Sequence, residues 1–235
     1  MINDVRNTVL SILNKDNNGY LTPDQFNLYA KAAQLEIFEQ YMHDYALASN
    51  KRTAHMYTSG NGDVAGRLAE IIDRFRYQGV PSWDGITLRY NMPKSVFKLG
   101  GLTYAVSGVE IEYIAHNKIR NLIASQDTAP TTTYPVYTII DNEIQVYPTT
   151  ITGTGNVTTT HIRYPNDPNW TYNTFVEGQP LFNPSASDYQ DFEIQEDDYY
   201  NLIAKICQLA GVQIREEQVV KYMKAEENQE KQEQK

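Results

Sequence analysis

Between Ala129 and Trp170 the chain reads APTTTYPVYTIIDNEIQVYPTTITGTGNVTTTHIRYPNDPNW, rich in Thr and Tyr and punctuated by Pro. β-Branched and aromatic residues suit a pleated, half-buried surface, and prolines confine strands to edges and short lengths. Val136 to Ile140 and Ile144 to Tyr147 read as a hairpin over Asp141-Asn142-Glu143, and Val157 to Tyr164 adds another strand. The stretch holds almost nothing that does acid–base, nucleophilic or metal chemistry, so it reads as a binding surface. It lies between segments with helical patterning, and that contrast predicts an α+β protein.

Toward the N-terminus the strand character continues back to Pro81. Ile86 to Tyr90, Val96 to Leu99 and Tyr104 to Val106 read as short strands. Val109, Ile111 and Tyr113 alternate with Glu110 and Glu112, an apolar-in, polar-out strand. His116 to Ser125 has room for one or two helical turns. Ahead of Pro81 everything is helical. Val5, Val9, Ile12 and Leu13 share one face of a short helix, and Asn17-Asn18-Gly19 is a turn. Thr22-Pro23-Asp24 is an N-cap followed by Pro at the first helical position, opening a long helix to about Ala54. Its stripe is Phe26, Ala30, Ala33, Ile37 and Tyr41, with Leu35, Phe38 and Met42 beside it. After the Ser59–Asp63 turn, a third helix points Val64, Leu68, Ile71, Ile72 and Phe75 inward and stops at Gly79.

Toward the C-terminus, Pro165 to Glu193 keeps no period yet contains Trp170, Tyr172, Phe175, Phe182, Tyr189 and Phe192. Such an aromatic arm either wraps its own domain or docks on a neighbouring subunit. Glu196-Asp197-Asp198 suits a helix N-terminus, with Leu202, Ile206 and Leu209 as the apolar stripe and Gly211 as the stop. Val212 to Met223 reads as a further helix, and Lys224 to Lys235 as a solvated tail. The expected organisation is an N-terminal helical bundle (1–80), a central antiparallel β domain (81–165), the arm (166–195), C-terminal helices packing back on the bundle (196–223) and the tail (224–235).

A formal net charge of −9 disfavours a broad nucleic-acid-binding face and suits a surface that duplex DNA passes without sticking. Tyr outnumbers Phe 18 to 7, which favours surfaces covered by a partner. Cys207 is the one cysteine, so no intrachain disulfide or Cys-based zinc site forms. No leader or membrane span is legible, which predicts a protein made in the cytoplasm, and the sequons at Asn156 and Asn169 carry no weight without a secretory signal.

Asn14 to Gln25 has the oxygen ligands of a calcium loop at alternate positions (Asn14, Asp16, Asn18, Tyr20), with Gly19 sixth and Leu21 eighth. Asn at the first position, Gln25 in place of the bidentate acid and Pro23 favour a helix corner, so no metal is expected. Gly60, Gly62 and Gly66 lack dinucleotide-fingerprint spacing. Glu110 and Glu112 read as solvated acids of one strand face rather than a glycosidase pair. His43, His55, His116 and His161 are scattered, and Cys207 reads as a core residue. Neither a catalytic residue nor a cofactor is expected.

The chain resembles the head-to-tail connector or ring proteins of short-tailed bacteriophages, particularly crAss-like phages. The resemblance lies in VRNTVLSILNKDNNGYLTPDQFNLYAKAAQLEIFEQY at the start, Ala129-Pro130 with Tyr134-Pro135-Val136-Tyr137, and Ile144 to Pro148. Ile162-Arg163-Tyr164-Pro165, Asp167-Pro168-Asn169-Trp170 and Asp191-Phe192-Glu193 complete it. It implies a virion neck protein: a homo-oligomeric ring, twelve-fold by that resemblance, below the portal, touching portal and adjacent tail or ring proteins while genomic DNA passes through. Tyr134, Tyr137, Trp170, Tyr172, Phe175, Phe182, Tyr189 and Phe192 are then the candidates for subunit interfaces. The competing expectation is a tail or fibre-base component that contacts a host-surface glycan. A wall-degrading enzyme would need paired acids or a metal site that the sequence does not offer.

Overall fold

In the computed structural model, residues 1–14, 21–53, 61–174 and 179–214 are described. The protein is α+β, with five α-helices among the described residues and a large curled mixed sheet. The chain forms two compact units, residues 1–71 with 165–235, and residues 72–164 between them.

The first unit is helical. Helix α1 spans Ile2–Asn14, α2 Pro23–Thr53 and α3 Asn61–Asp73, which runs into the second unit. A 3₁₀ turn at Glu196–Asp198 leads into α5, Tyr199–Ile214, which packs on α1 and α2. The start of α2 is a capping box. Gln25 N donates to Thr22 Oγ1 at 3.2 Å and Thr22 N donates to Gln25 Oε1 at 3.1 Å. Phe26, Ala30, Ala33, Ile37, Phe38 and Tyr41 of α2 are buried, as are Val5 and Val9 of α1 and Leu202, Ile206 and Cys207 of α5. Burial pushes the Cys207 thiol up to about 12, so it packs as a small hydrophobe. The expected stop at Gly211 is corrected: α5 runs on to Ile214, with Gly211 buried inside it.

The second unit holds an eight-stranded sheet. Its strands are β1 (Arg76–Gly79), β2 (Trp83–Asp84), β3 (Arg89–Asn91), β4 (Val96–Tyr104), β5 (Val109–Tyr113), β6 (Val136–Ile140), β7 (Glu143–Tyr147) and β8 (Val157–Arg163), in the order β1-β8-β4-β5-β6-β7-β3-β2. The outermost strands, β1 and β2, are consecutive and joined by Val80-Pro81-Ser82. Laid flat, eight strands would hold their edges about 33 Å apart. Four Cα steps from Gly79 to Trp83 reach at most about 15 Å. The sheet therefore has to curl, and its concave side encloses Tyr90, Leu102, Ile111, Tyr137, Ile144, Val146, Ile151 and Val157.

Four expectations for this unit are corrected. Ile86 to Tyr90 is not one strand: Ile86–Leu88 lie in a turn after Asp84, and the strand β3 is Arg89–Asn91. The sheet is mixed, not antiparallel, because β5 and β6 pair in parallel: residues 114–135, with helix α4 (His116–Ala124), return the chain to the end where β5 began. Helix α3 ends at Asp73 instead of Gly79, because Arg76–Gly79 is an edge strand on β8 and Arg163 N already bonds Phe75 O at 2.9 Å. The segments Val96–Leu99 and Tyr104–Val106 are not two strands, since β4 runs unbroken from Val96 to Tyr104 with register shifts. At one of them a Cβ on Gly100 would sit 3.0 Å from the Thr160 carbonyl oxygen, so a side chain there would push the β8 backbone aside. The hairpin forms as expected but its turn is shorter: Asp141 and Asn142, both at positive φ, make a two-residue turn that matches strand twist, and Glu143 already pairs with Ile140.

Candidate interaction surface

The aromatic arm is held against the helical unit by two side chains of α2 seven residues apart. Asn27 Oδ1 accepts from Trp170 N at 2.9 Å, and its Nδ2 donates to Asn169 Oδ1 at 2.8 Å and to Trp170 O at 3.2 Å. Gln34, 2 % exposed, donates to Asn166 O at 2.7 Å and accepts from Glu193 N at 2.9 Å. The two amides thus take up arm backbone groups of Asn166, Trp170 and Glu193. Between them Trp170 sits at 2 % exposure, its Nε1 donating to Asn3 Oδ1 at 3.1 Å and the Arg6 guanidinium 3.9 Å from its ring centroid. Tyr172 and Phe182 each stack with it, and Tyr189 meets Phe182 edge-on. Burial, then the Asp191 charge, pushes the Tyr189 hydroxyl up. Strands β9 (Tyr172–Thr174) and β10 (Pro180–Phe182) form a separate two-stranded ribbon.

The expected interface residues therefore divide. Trp170 and Phe192 are buried within the chain's own unit, and as docking anchors they are corrected: their apolar area is already covered. Tyr137 is also buried, on the concave side of the sheet, where burial, then Tyr113 and Glu110, raises its hydroxyl. Phe182 and Tyr189 are half-buried, Tyr172 is 38 % exposed and Tyr134 is 78 % exposed. Phe175 lies outside the described residues. So do residues 15–20 of the calcium-like loop and the side chain of Asn14, while Gln25 is occupied in the α2 cap.

Sequence reasoning missed the most exposed aliphatic side chain among the described residues, Ile86. Strand register brings the β2–β3 turn (85–88), the β4–β5 turn (105–108) and the β7–β8 loop (148–156) to one end of the sheet. Strand β2 and the β4–β5 turn are each bonded to that loop: Trp83 N to Thr154 Oγ1 at 3.1 Å and Ala105 N to Asn156 O at 2.9 Å. At the tips stand Ile86, 93 % exposed, Val106, 70 %, and Leu88, 54 %. Asp84 orders the first tip, Oδ1 accepting from Ile86 N at 2.9 Å and Oδ2 from Thr87 Oγ1 at 3.0 Å. Those bonds, the Ile86 amide first, hold its carboxyl below the usual range. Leu88 takes φ 56°, a left-handed conformation that Gly or Asn adopts more cheaply. Such strain persists where surrounding structure enforces it and clusters at functional positions. The available signal was the dipeptide Asp84-Gly85 followed by an apolar residue at the centre of a turn.

No protein-family model matches the chain, and no curated protein is similar to it.

Proposed function

We propose that the chain is a structural subunit of a bacteriophage virion, one of a ring of copies in the head-to-tail connector beneath the portal. The observation that carries this reading is the outward display of large apolar side chains on turns ordered by their own hydrogen bonds, Ile86 and Val106 above all. An ordered turn that holds an isoleucine in water suits an assembly in which a neighbour covers it. The resemblance over the opening, central and closing segments supplies the kind of assembly.

Charge distribution adds support. Residues 72–164 contain eight Lys and Arg against seven Asp and Glu, a net of +1, so the remaining residues carry −10 of the chain's −9. A helical unit of that charge repels phosphate and would let a duplex pass. In this reading the helical bundle and the sheet of each copy pack on neighbouring copies, a heterologous contact that closes into a ring. A map of the virion neck is the test: density for the chain in a ring below the portal is expected. Its absence from the neck, together with failure to bind portal protein by mass photometry, sinks the reading.

One observation favours the tail or fibre-base alternative. Thr131, Thr132, Thr133 and Tyr134 are all exposed on a turn closed by Tyr134 N to Thr131 O at 3.2 Å, a ring and hydroxyls open to a sugar. Glycan-array binding lost in Tyr134→Ala would establish it.

A further inference from the structure

The end of the sheet that carries Ile86, Leu88 and Val106 has an unusual charge pattern. Residues 80–88, 104–109 and 147–157, which build it, contain a single charged residue, Asp84. A lipid-docking surface sets Lys or Arg beside its apolar residues, to meet anionic headgroups. Glycan platforms present aromatic faces, whereas these tips are aliphatic. A rigid aliphatic tip with one carboxylate and no cation fits an apolar patch flanked by positive charge on another protein.

The same unit carries a half-buried isoleucine set between two cations. In β8, Val157, Thr159 and His161 are buried, so Ile162 belongs to the opposite, convex face. Its cross-strand partners are Arg76 on β1 and Lys98 on β4. Both are exposed, and Arg76 forms only a solvent-exposed pair with Asp73 at 2.9 Å. Ile162 is thus flanked on either side by a cation.

We infer that the Ile86/Leu88/Val106 tip of one copy docks on the Arg76–Ile162–Lys98 face of the next copy. The two surfaces are different parts of the molecule, so the contact is heterologous: each copy offers one tip and one face, and repetition propagates a ring or filament. Asp84 lies with the tip and the two cations with the face, which sets the orientation and makes the contact salt-sensitive. The inference rests on the ring reading for its setting and names the surfaces that reading leaves open.

The test uses the full chain and two variants, Ile86→Glu with Val106→Glu, and Arg76→Glu with Lys98→Glu. All four positions are exposed, and circular dichroism and melting temperature matched to the parent establish that each variant folds. Sedimentation velocity should show self-association of the parent, weakened at least about tenfold in either variant. Mixed one to one, the variants should form dimers and stop there, because the tip variant keeps its face and the face variant keeps its tip. A monomeric parent, variants that associate like the parent, or a mixture that stays monomeric each overturns the inference. So does flotation with phosphatidylcholine or phosphatidylserine vesicles that the tip variant loses, which would assign the tip to lipid. Retardation of duplex DNA that the face variant loses, with association intact, would assign the face to phosphate. A chain present in the neck whose variants still assemble sinks this contact and leaves the ring. A chain absent from the neck that still pairs tip with face sinks only the ring.

Discussion

The arm and the β2–β3 tip are both irregular segments bearing large apolar side chains, and the protein treats them in opposite ways. Trp170 is 2 % exposed and Ile86 is 93 % exposed. The difference lies in where the backbone finds its hydrogen bonds. The arm pairs part of its backbone within itself, while Asn166 O, Trp170 N and O and Glu193 N go to Asn27 and Gln34 on α2, which draws Trp170 inward. In the tip the Ile86 amide bonds the nearby Asp84 carboxylate rather than a helix, so its isoleucine is left outside. Backbone satisfaction, more than side-chain hydrophobicity, sorts the two.

The two tryptophans report the two regions separately, Trp170 in the helical unit and Trp83 in the sheet unit. The largest expected effect is at the arm. Trp170→Ala should cost about 3–5 kcal/mol in chemical denaturation followed by circular dichroism, against less than about 0.5 kcal/mol for Ile86→Ala. Equal costs would break the comparison. Next, Gln34→Ala leaves Asn166 O and Glu193 N without their bonds and should cost about 1–3 kcal/mol, read by Trp170 fluorescence with Trp83→Phe in place. A neutral result would mean the α2 clamp does not hold the arm.

In the sheet unit the buried Thr138 hydroxyl has no partner. Thr138→Val keeps the shape and should raise stability by about 1 kcal/mol, seen as a higher denaturant midpoint in Trp83 fluorescence. His161 gives the smallest effect. It is buried, its Nδ1 lies 3.4 Å from Thr159 Oγ1 and its Nε2 has no partner, and burial lowers its pKa. The unfolded chain takes up that proton at about pH 6.5, before the folded one does. The sheet unit should therefore keep its full stability above about pH 6.5 and lose some as pH falls from there toward the folded pKa. His161→Gln should flatten that dependence, and an unchanged slope would assign it to other groups.

Legibility in the sequence followed the range of the interactions. The α2 N-cap, the apolar stripe from Phe26 to Tyr41, the Asp141-Asn142 turn and the strand Val109 to Tyr113 are set by neighbours within a few positions and are legible, although in that strand Ile111 is buried and Tyr113 is exposed. The short segment Arg76–Gly79 was read as helix because nothing local distinguishes it, while its pairing partner, β8, lies about eighty positions away. The parallel β5–β6 pair escaped for a related reason. The strand, short helix and strand between Val109 and Ile140 are each legible locally, whereas the parallel pairing of the two strands depends on where the intervening residues 114–135 lead the chain. Of the candidate surface, the exposed Tyr134 was anticipated, while the Ile86 and Val106 tips were not.

Fold class, helical flanks, the β-rich centre, the aromatic content of the arm and the acidic balance follow from composition and period, which depend on residues close in the chain. Which way each apolar side chain faces does not. The curl of the sheet follows from joining its two edges through three residues. The inward turn of Trp170 depends on amides some 140 positions earlier in the chain, and the gathering of Ile86 with Val106 on strand register across the sheet. Each is a contact between distant positions, and local pattern carries no record of which distant partner a backbone group will meet.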